Sequence, residues 1–150
     1  VDFADEHQLE EQCLQGLVME TSCGVVLVNI DSILLLQYPQ GHWDLPKGHV
    51  ESNDSNKQAT ARRELKEETG IDDIVFISGF EHHTTYSFRH KGRLIKKEVW
   101  WYLAETETMK IELSHEHQQY LWLDWARAIE QVTHDEARKL LNAARAHVNA

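Results

Sequence analysis

The sequence predicts a single α/β domain, on three observations. Two apolar, β-branched runs, Cys23 to Ile30 and Ile33 to Tyr38, flank Asp31-Ser32 as the arms of a hairpin flank its turn. Two later segments combine helix start signals with helical spacing. At 150 residues and 41% hydrophobic composition, the chain has the usual size of one domain and enough apolar residues for one core.

Residues 1 to 20 place Leu9, Cys13, Leu14, Leu17 and Val18 among Glu and Gln, a spacing that predicts a short amphipathic helix. Residues 1–21 therefore read as an N-terminal helical extension and residues 22–150 as the domain proper. After the hairpin comes a loop, Pro39 to Gly48, with both prolines of the chain, so its backbone is shaped by sequence. Ser55-Asn56-Lys57-Gln58 fits a capping box, and Gly70 suits the residue after a helix end. Together they predict a helix over about Asn56 to Thr69. Ile74 to Phe80 and Lys97 to Ala104 read as strands. Lys91-Gly92 reads as the turn between the latter strand and the Thr84 to Phe88 run. Leu121-Trp122-Leu123 is a further short strand. Thr133-His134-Asp135-Glu136 is a second capping box, opening a helix whose Ala137, Leu140, Leu141, Ala144 and Val148 share one face. Trp43, Trp100, Trp101, Trp122 and Trp125 fall mostly in strand-like runs and are expected to serve packing.

Composition excludes several function classes. No apolar run approaches the length of a membrane span. The N-terminus is acidic where a secretory signal would be basic, which predicts a cytoplasmic protein without a membrane partner. Cys13 and Cys23 are too few for a disulfide framework or a zinc site and are expected as reduced thiols. A net charge of −10 argues against broad binding to DNA or RNA. Five basic residues, Arg89, Lys91, Arg93, Lys96 and Lys97, nevertheless gather in one stretch. It reads either as a solvated hairpin tip or as a phosphate contact.

The chemistry is concentrated on the first predicted helix. Glu64, Glu67 and Glu68 lie at i, i+3 and i+4 and so share one side of it, where like charges repel unless a cation sits against them. Oxygen ligands of this kind suit hard divalent cations, Mg2+ or Mn2+, which are commonly shared with substrate phosphates. Upstream, Pro46-Lys47-Gly48-His49 offers a cation and a glycine whose backbone can approach an ion closely.

Gly48-His49-Val50-Glu51 followed by Arg63-Glu64-Leu65-Lys66-Glu67-Glu68-Thr69-Gly70-Ile71 resembles the Nudix box, G-x5-E-x7-R-E-U-x-E-E-x-G-U, with U aliphatic. The C-terminal half fits at every specified position. In the N-terminal half Asp54 stands where the family has Glu, and the spacing from Gly48 to Arg63 is one residue longer; Asp54 is assigned no catalytic role. The resemblance implies an α/β/α sandwich around a mixed β-sheet. It implies Glu67 and Glu68 as metal ligands, Glu64 as ligand or base, and Gly48 as a carbonyl ligand. The reaction implied is attack of water at phosphorus in a phosphoanhydride.

His42-Trp43, Leu45 to Glu51 and Leu113 to Leu123 are similar to the asymmetric diadenosine tetraphosphate hydrolases, which yield ATP and AMP. That likeness adds Glu116, in Ser114-His115-Glu116-His117, to the metal site. It makes Lys47, His49 and Lys97 substrate contacts, and Tyr120 and Tyr86 candidate partners for a base. For His115 and His117, phosphate contact or packing is favoured over an H-x-H zinc site. The competing readings are an RNA 5′-pyrophosphohydrolase acting on RNA 5′ ends, a nucleoside triphosphate pyrophosphohydrolase, and a non-catalytic nucleotide-binding module. Retention of Glu64, Glu67, Glu68 and Glu116 weighs against the last.

Overall fold

The computed structural model describes residues 17–150. Eight strands form one mixed sheet: β1 (Leu17–Asn29), β2 (Ser32–Gln37), β3 (Trp43–Asp44), β4 (Lys47–His49), β5 (Ile74–Phe76), β6 (His82–His90), β7 (Arg93–Thr106) and β8 (Gln119–Asp124). Among the described residues three helices join them: α1 (Lys57–Thr69), α2 (Trp125–Gln131) and α3 (Asp135–Val148). The central path runs β3-β2-β1-β7-β5, with β4 paired to β1, β6 to β7 and β8 to β2. β1 and β7 are parallel along their length, from Leu17 opposite Leu94 to Val28 opposite Glu105; the other pairs are antiparallel.

Alternation along the strands divides the core between two faces. Val26 and Val28 of β1 join Ile33, Leu35, Val99, Trp101 and Leu103 under α2 and α3, which contribute Trp125, Ala128, Leu140, Leu141 and Ala144. Val25 and Leu27 turn the other way, with Leu34, Leu36 and Ala104, to meet Leu65 of α1 and Ile71. Both faces of β1 and β2 are covered, which is why those strands read as continuous apolar runs. The result is the α/β/α sandwich that the box implied.

Several local expectations are corrected. Leu17 to Glu20, expected in a helix, begin β1, because pairing with Leu94 to Lys97 satisfies their backbone; the earlier part of that expected helix lies outside the described residues. The Pro39 to Gly48 loop holds the short strands β3 and β4. The cap of α1 is Asn56 rather than Ser55: Asn56 Oδ1 accepts from Ala59 N at 2.8 Å. At α3 the expected box does not form. His134 occupies the cap without a side-chain bond, and Thr133 Oγ1 instead accepts from Trp43 N at 2.9 Å. The strand expected to Phe80 stops at Phe76, and Trp125 opens α2. The Lys91-Gly92 turn forms as expected, both residues having positive φ. Cys23 is a buried free thiol that desolvation pushes up to about 12, as an unreactive packing residue. Among the described residues no helix is long and apolar enough to cross a membrane.

Candidate active site

Arg63 determines how the acids of α1 stand. Its Nε and Nη2 donate to the two oxygens of Asp54 at 2.9 and 3.0 Å, and Nη2 also donates to the carbonyl of His49 at 2.8 Å. Its Nη1 donates to Glu64 Oε1 at 2.9 Å and to Glu67 Oε1 at 3.2 Å. Asp54 accepts further bonds from Glu51 N at 2.9 Å and Thr60 Oγ1 at 2.8 Å. Paired in this forked way, the Arg63 guanidinium holds the Asp54 carboxyl well below the usual carboxylate range. The longer loop and shorter acid thus still end in an arginine clamp tying the loop to α1. Sequence reasoning left Asp54 without a function; its signal was the Arg-Glu pair in the box.

β4 divides the site between the faces of the sheet. Lys47 and His49 pair with Gly24 and Ser22, and Gly48 pairs with Cys23, so alternation sends Lys47 and His49 to the α3 side and turns Gly48 toward α1. A Cβ at position 48 would collide with the carboxyl group of Glu64, so that acid rests directly on glycine backbone. Burial, opposed by Arg63 and reinforced by the charges of Glu68 and Glu67, pushes the Glu64 carboxyl up to about 7.

Glu68 is buried, with its side chain 6% exposed. His117 Nε2 lies 2.9 Å from Glu68 Oε2, close enough to pair as charges although the ring N–H is not aligned for a hydrogen bond. Glu68 Oε1 has no partner among the described residues. Burial raises the Glu68 carboxyl and His117 opposes the rise. His117 Nδ1 is 3.0 Å from Ser114 Oγ, and its side chain is 2% exposed. Of phosphate contact and packing, the structure shows packing for His117. The segment carrying it docks on the end of α1: Glu112 N donates to Thr69 O at 2.9 Å and Ser114 N to Glu68 O at 3.0 Å. The turn closed by His117 N on Ser114 O at 3.1 Å leaves Glu116 exposed, near enough for its charge to act on Glu68.

Among the described residues, no three His, Cys, Asp or Glu side chains surround a common ion position. Glu64 and Glu67 are drawn to Arg63, and Glu68 to His117. The donor chemistry nevertheless fits a hard divalent cation. The acids are all carboxylates, one presents a buried oxygen without a partner, and another is raised to about 7 by burial, which a bound cation would offset.

On the α3 side, His42, Asp44, Lys47, Thr84, Tyr86, Trp101, His134 and Glu136 line a cavity of about 350 Å³. Lys47 Nζ contacts Asp44 Oδ2 at 2.8 Å and lies 4.8 Å above the Tyr38 ring. Tyr38 is stacked on His42 at 4.9 Å and meets His117 edge-on at 4.6 Å, so one aromatic row links the cavity to Glu68. Tyr86 is on this face, opposite Lys97 in the register. Desolvation and the nearby Lys47 lower the Lys97 ammonium. Tyr120 pairs with Leu36, whose side chain belongs to the α1 face. Tyr86 and Tyr120 are therefore on opposite faces of the sheet.

The NUDIX domain pattern matches residues 19–144. The chain belongs to the NUDIX domain family. It is 39% identical over 114 residues to the asymmetrical bis(5′-nucleosyl)-tetraphosphatase of Mus musculus, covering 72% of this chain and 74% of that protein. To the Caenorhabditis elegans protein of the same description it is 38% identical over 111 residues, covering 72% and 78%. The crystal structure of a C. elegans Ap4A hydrolase binary complex superimposes with a TM-score of 0.72 at 28% identity, covering 87% of this chain and 98% of that one. Nudix hydrolases require a divalent metal ion and act on nucleotide or dinucleoside polyphosphate substrates, and this chain is a hydrolase of that kind.

Proposed function

We propose that this Nudix hydrolase cleaves diadenosine tetraphosphate asymmetrically to ATP and AMP, with Mg2+ or Mn2+ held by Glu64, Glu67, Glu68, Glu116 and the carbonyl of Gly48. The observation that carries the reading is the pairing of an unpartnered buried oxygen on Glu68 with a Glu64 carboxyl resting on Gly48. A bound divalent cation supplies neutralisation of the charge on the transferred and leaving phosphate oxygens. Glu64, resting against the Gly48 backbone and held by Arg63, takes the proton of the attacking water. Arg63 holds Glu64 and Glu67 in place, and His117 holds Glu68 from behind.

The substrate lies across β4. Lys47, His49 and Lys97 receive the phosphate chain on the α3 side, and the cavity walled by Tyr86, Trp101 and His42 receives one base. Its volume is at the small end of ordinary ligand pockets, enough for one nucleoside. Tyr120, on the other face, is left out of that pocket. The relatedness to asymmetrical bis(5′-nucleosyl)-tetraphosphatases supports the dinucleotide over RNA 5′ ends. Product analysis tests it: purified protein with Mg2+ receives diadenosine tetraphosphate and a 5′-triphosphorylated RNA at matched concentrations. ATP and AMP from the first with little change in the RNA is the expected result. Efficient release of phosphate or pyrophosphate from the RNA alone overturns it.

A further inference from the structure

We propose that the outer part of the β6–β7 hairpin is a second nucleobase platform, on which Phe88 stacks the base that the cavity does not hold. The proposal rests on the dinucleotide reading above. A cavity of about 350 Å³ accommodates one nucleoside, so a dinucleoside polyphosphate needs a second resting place for its other base.

The hairpin provides one on the same face. Tyr86 and Phe88 are 45% and 41% exposed although both are large aromatics. They are two apart on β6 and so project from the same side, with ring centroids 6.3 Å apart and planes inclined by 29°. A base sandwiched between two rings needs about 6.8 Å, twice the stacking distance of about 3.4 Å along a nucleic-acid strand.

Tyr86 also lines the cavity, whereas Phe88 lies beyond it, which makes Tyr86 the shared wall between the two positions. In the register Lys97 stands opposite Tyr86, at the boundary where a phosphate chain joining the two bases would pass. Glu20 stands beside Lys97 on β1 and supplies the opposing charge there. Ile95, opposite Phe88, is buried and flanks the Phe88 ring on the same face. The ligand is thus a planar base carried at the far end of a polyphosphate.

The test compares a ligand with two bases against one with a single base. KM for diadenosine tetraphosphate and the inhibition constant of ATP are measured for wild type, Phe88→Ala and Phe88→Tyr, with melting temperatures as a check on folding. Base–aromatic stacking of ordinary strength predicts that Phe88→Ala raises the dinucleotide KM about tenfold. Its kcat and its ATP inhibition constant stay within about twofold of wild type, and Phe88→Tyr behaves as wild type. An unchanged KM overturns the platform, as does an equal rise for both ligands, which would place Phe88 in the first pocket. Failure of the dinucleotide reading shows separately and first, as wild-type protein that does not turn over diadenosine tetraphosphate, and the platform falls with it.

Discussion

Replacing Glu64 by Gln should make the metal-free protein more stable while it abolishes function. The carboxyl is raised from 4.5 to about 7, chiefly by burial. At ~1.4 kcal/mol per pKa unit, a fully effective shift would cost about 3 kcal/mol when the group is ionised. The side chain is 16% exposed and solvent screens part of the interaction, so about 1 to 2 kcal/mol is the expected cost. The sign follows from linkage. A carboxyl raised above its unfolded value keeps its proton more tightly in the native state. Metal-free stability therefore falls as pH rises from about 4.5 to about 7 and levels off above that. Glu64→Gln lacks this loss, so in chelator at pH 8 it should melt about 3 to 6 °C above wild type and should match it near pH 4.5. With saturating Mg2+ the order reverses, because wild type gains a ligand-binding contribution that the variant lacks. Turnover should fall at least about 100-fold. Thermal melts at both pH values with and without metal decide the matter. A variant that melts lower than wild type at pH 8 in chelator, or shows the same gap at both pH values, refutes the reasoning.

Gly48→Ala places a methyl group against the Glu64 carboxyl, and should cut kcat about 100-fold with a fold unchanged by circular dichroism. His117→Ala removes the imidazole that lies 2.9 Å from a buried Glu68 oxygen, and should weaken Mn2+ binding about tenfold or more in a metal titration. Asp54→Ala frees Arg63 from its forked partner and should cost about 2 to 3 kcal/mol in urea unfolding at pH 7. Because the Asp54 carboxyl is depressed, its contribution is present above the ordinary carboxylate value. It should persist at pH 4 and disappear only in stronger acid.

The parts of the fold legible in the sequence were those fixed by local chemistry. α1 announced itself through the start signal around Ser55 and Asn56, although the cap is the second of these, and through Gly70, left-handed at its end. The β1–β2 hairpin was legible because strands covered on both faces must be apolar throughout. The misses come from long-range partners. Residues 17–20 carry helical spacing, yet β7 claims their backbone from far along the chain. Thr133 looked like a cap, yet Trp43 takes its hydroxyl. In the site, the spacing of Glu64, Glu67 and Glu68 placed three acids on one side of a helix, but not which one would be buried. That depends on His117, contributed by a loop about fifty residues downstream. Asp54 was legible as an acid of the wrong length with one residue too many before Arg63, and only the forked bonds of Arg63 give it a role.

The docking of the Glu112 to Ser114 segment on the end of α1 ties the stability of that helix end to the loop. Two carbonyls that a helix terminus would leave to water, those of Glu68 and Thr69, are taken by amides of the segment that carries Glu116. Lifting that segment away would fray the last turn of α1, at about 0.5 to 1.5 kcal/mol for each bond broken. Glu68 stands on that turn. Glu116 on the loop and Glu68 on the helix are therefore mechanically coupled, and a hinge placed in the loop would loosen the helix end as well.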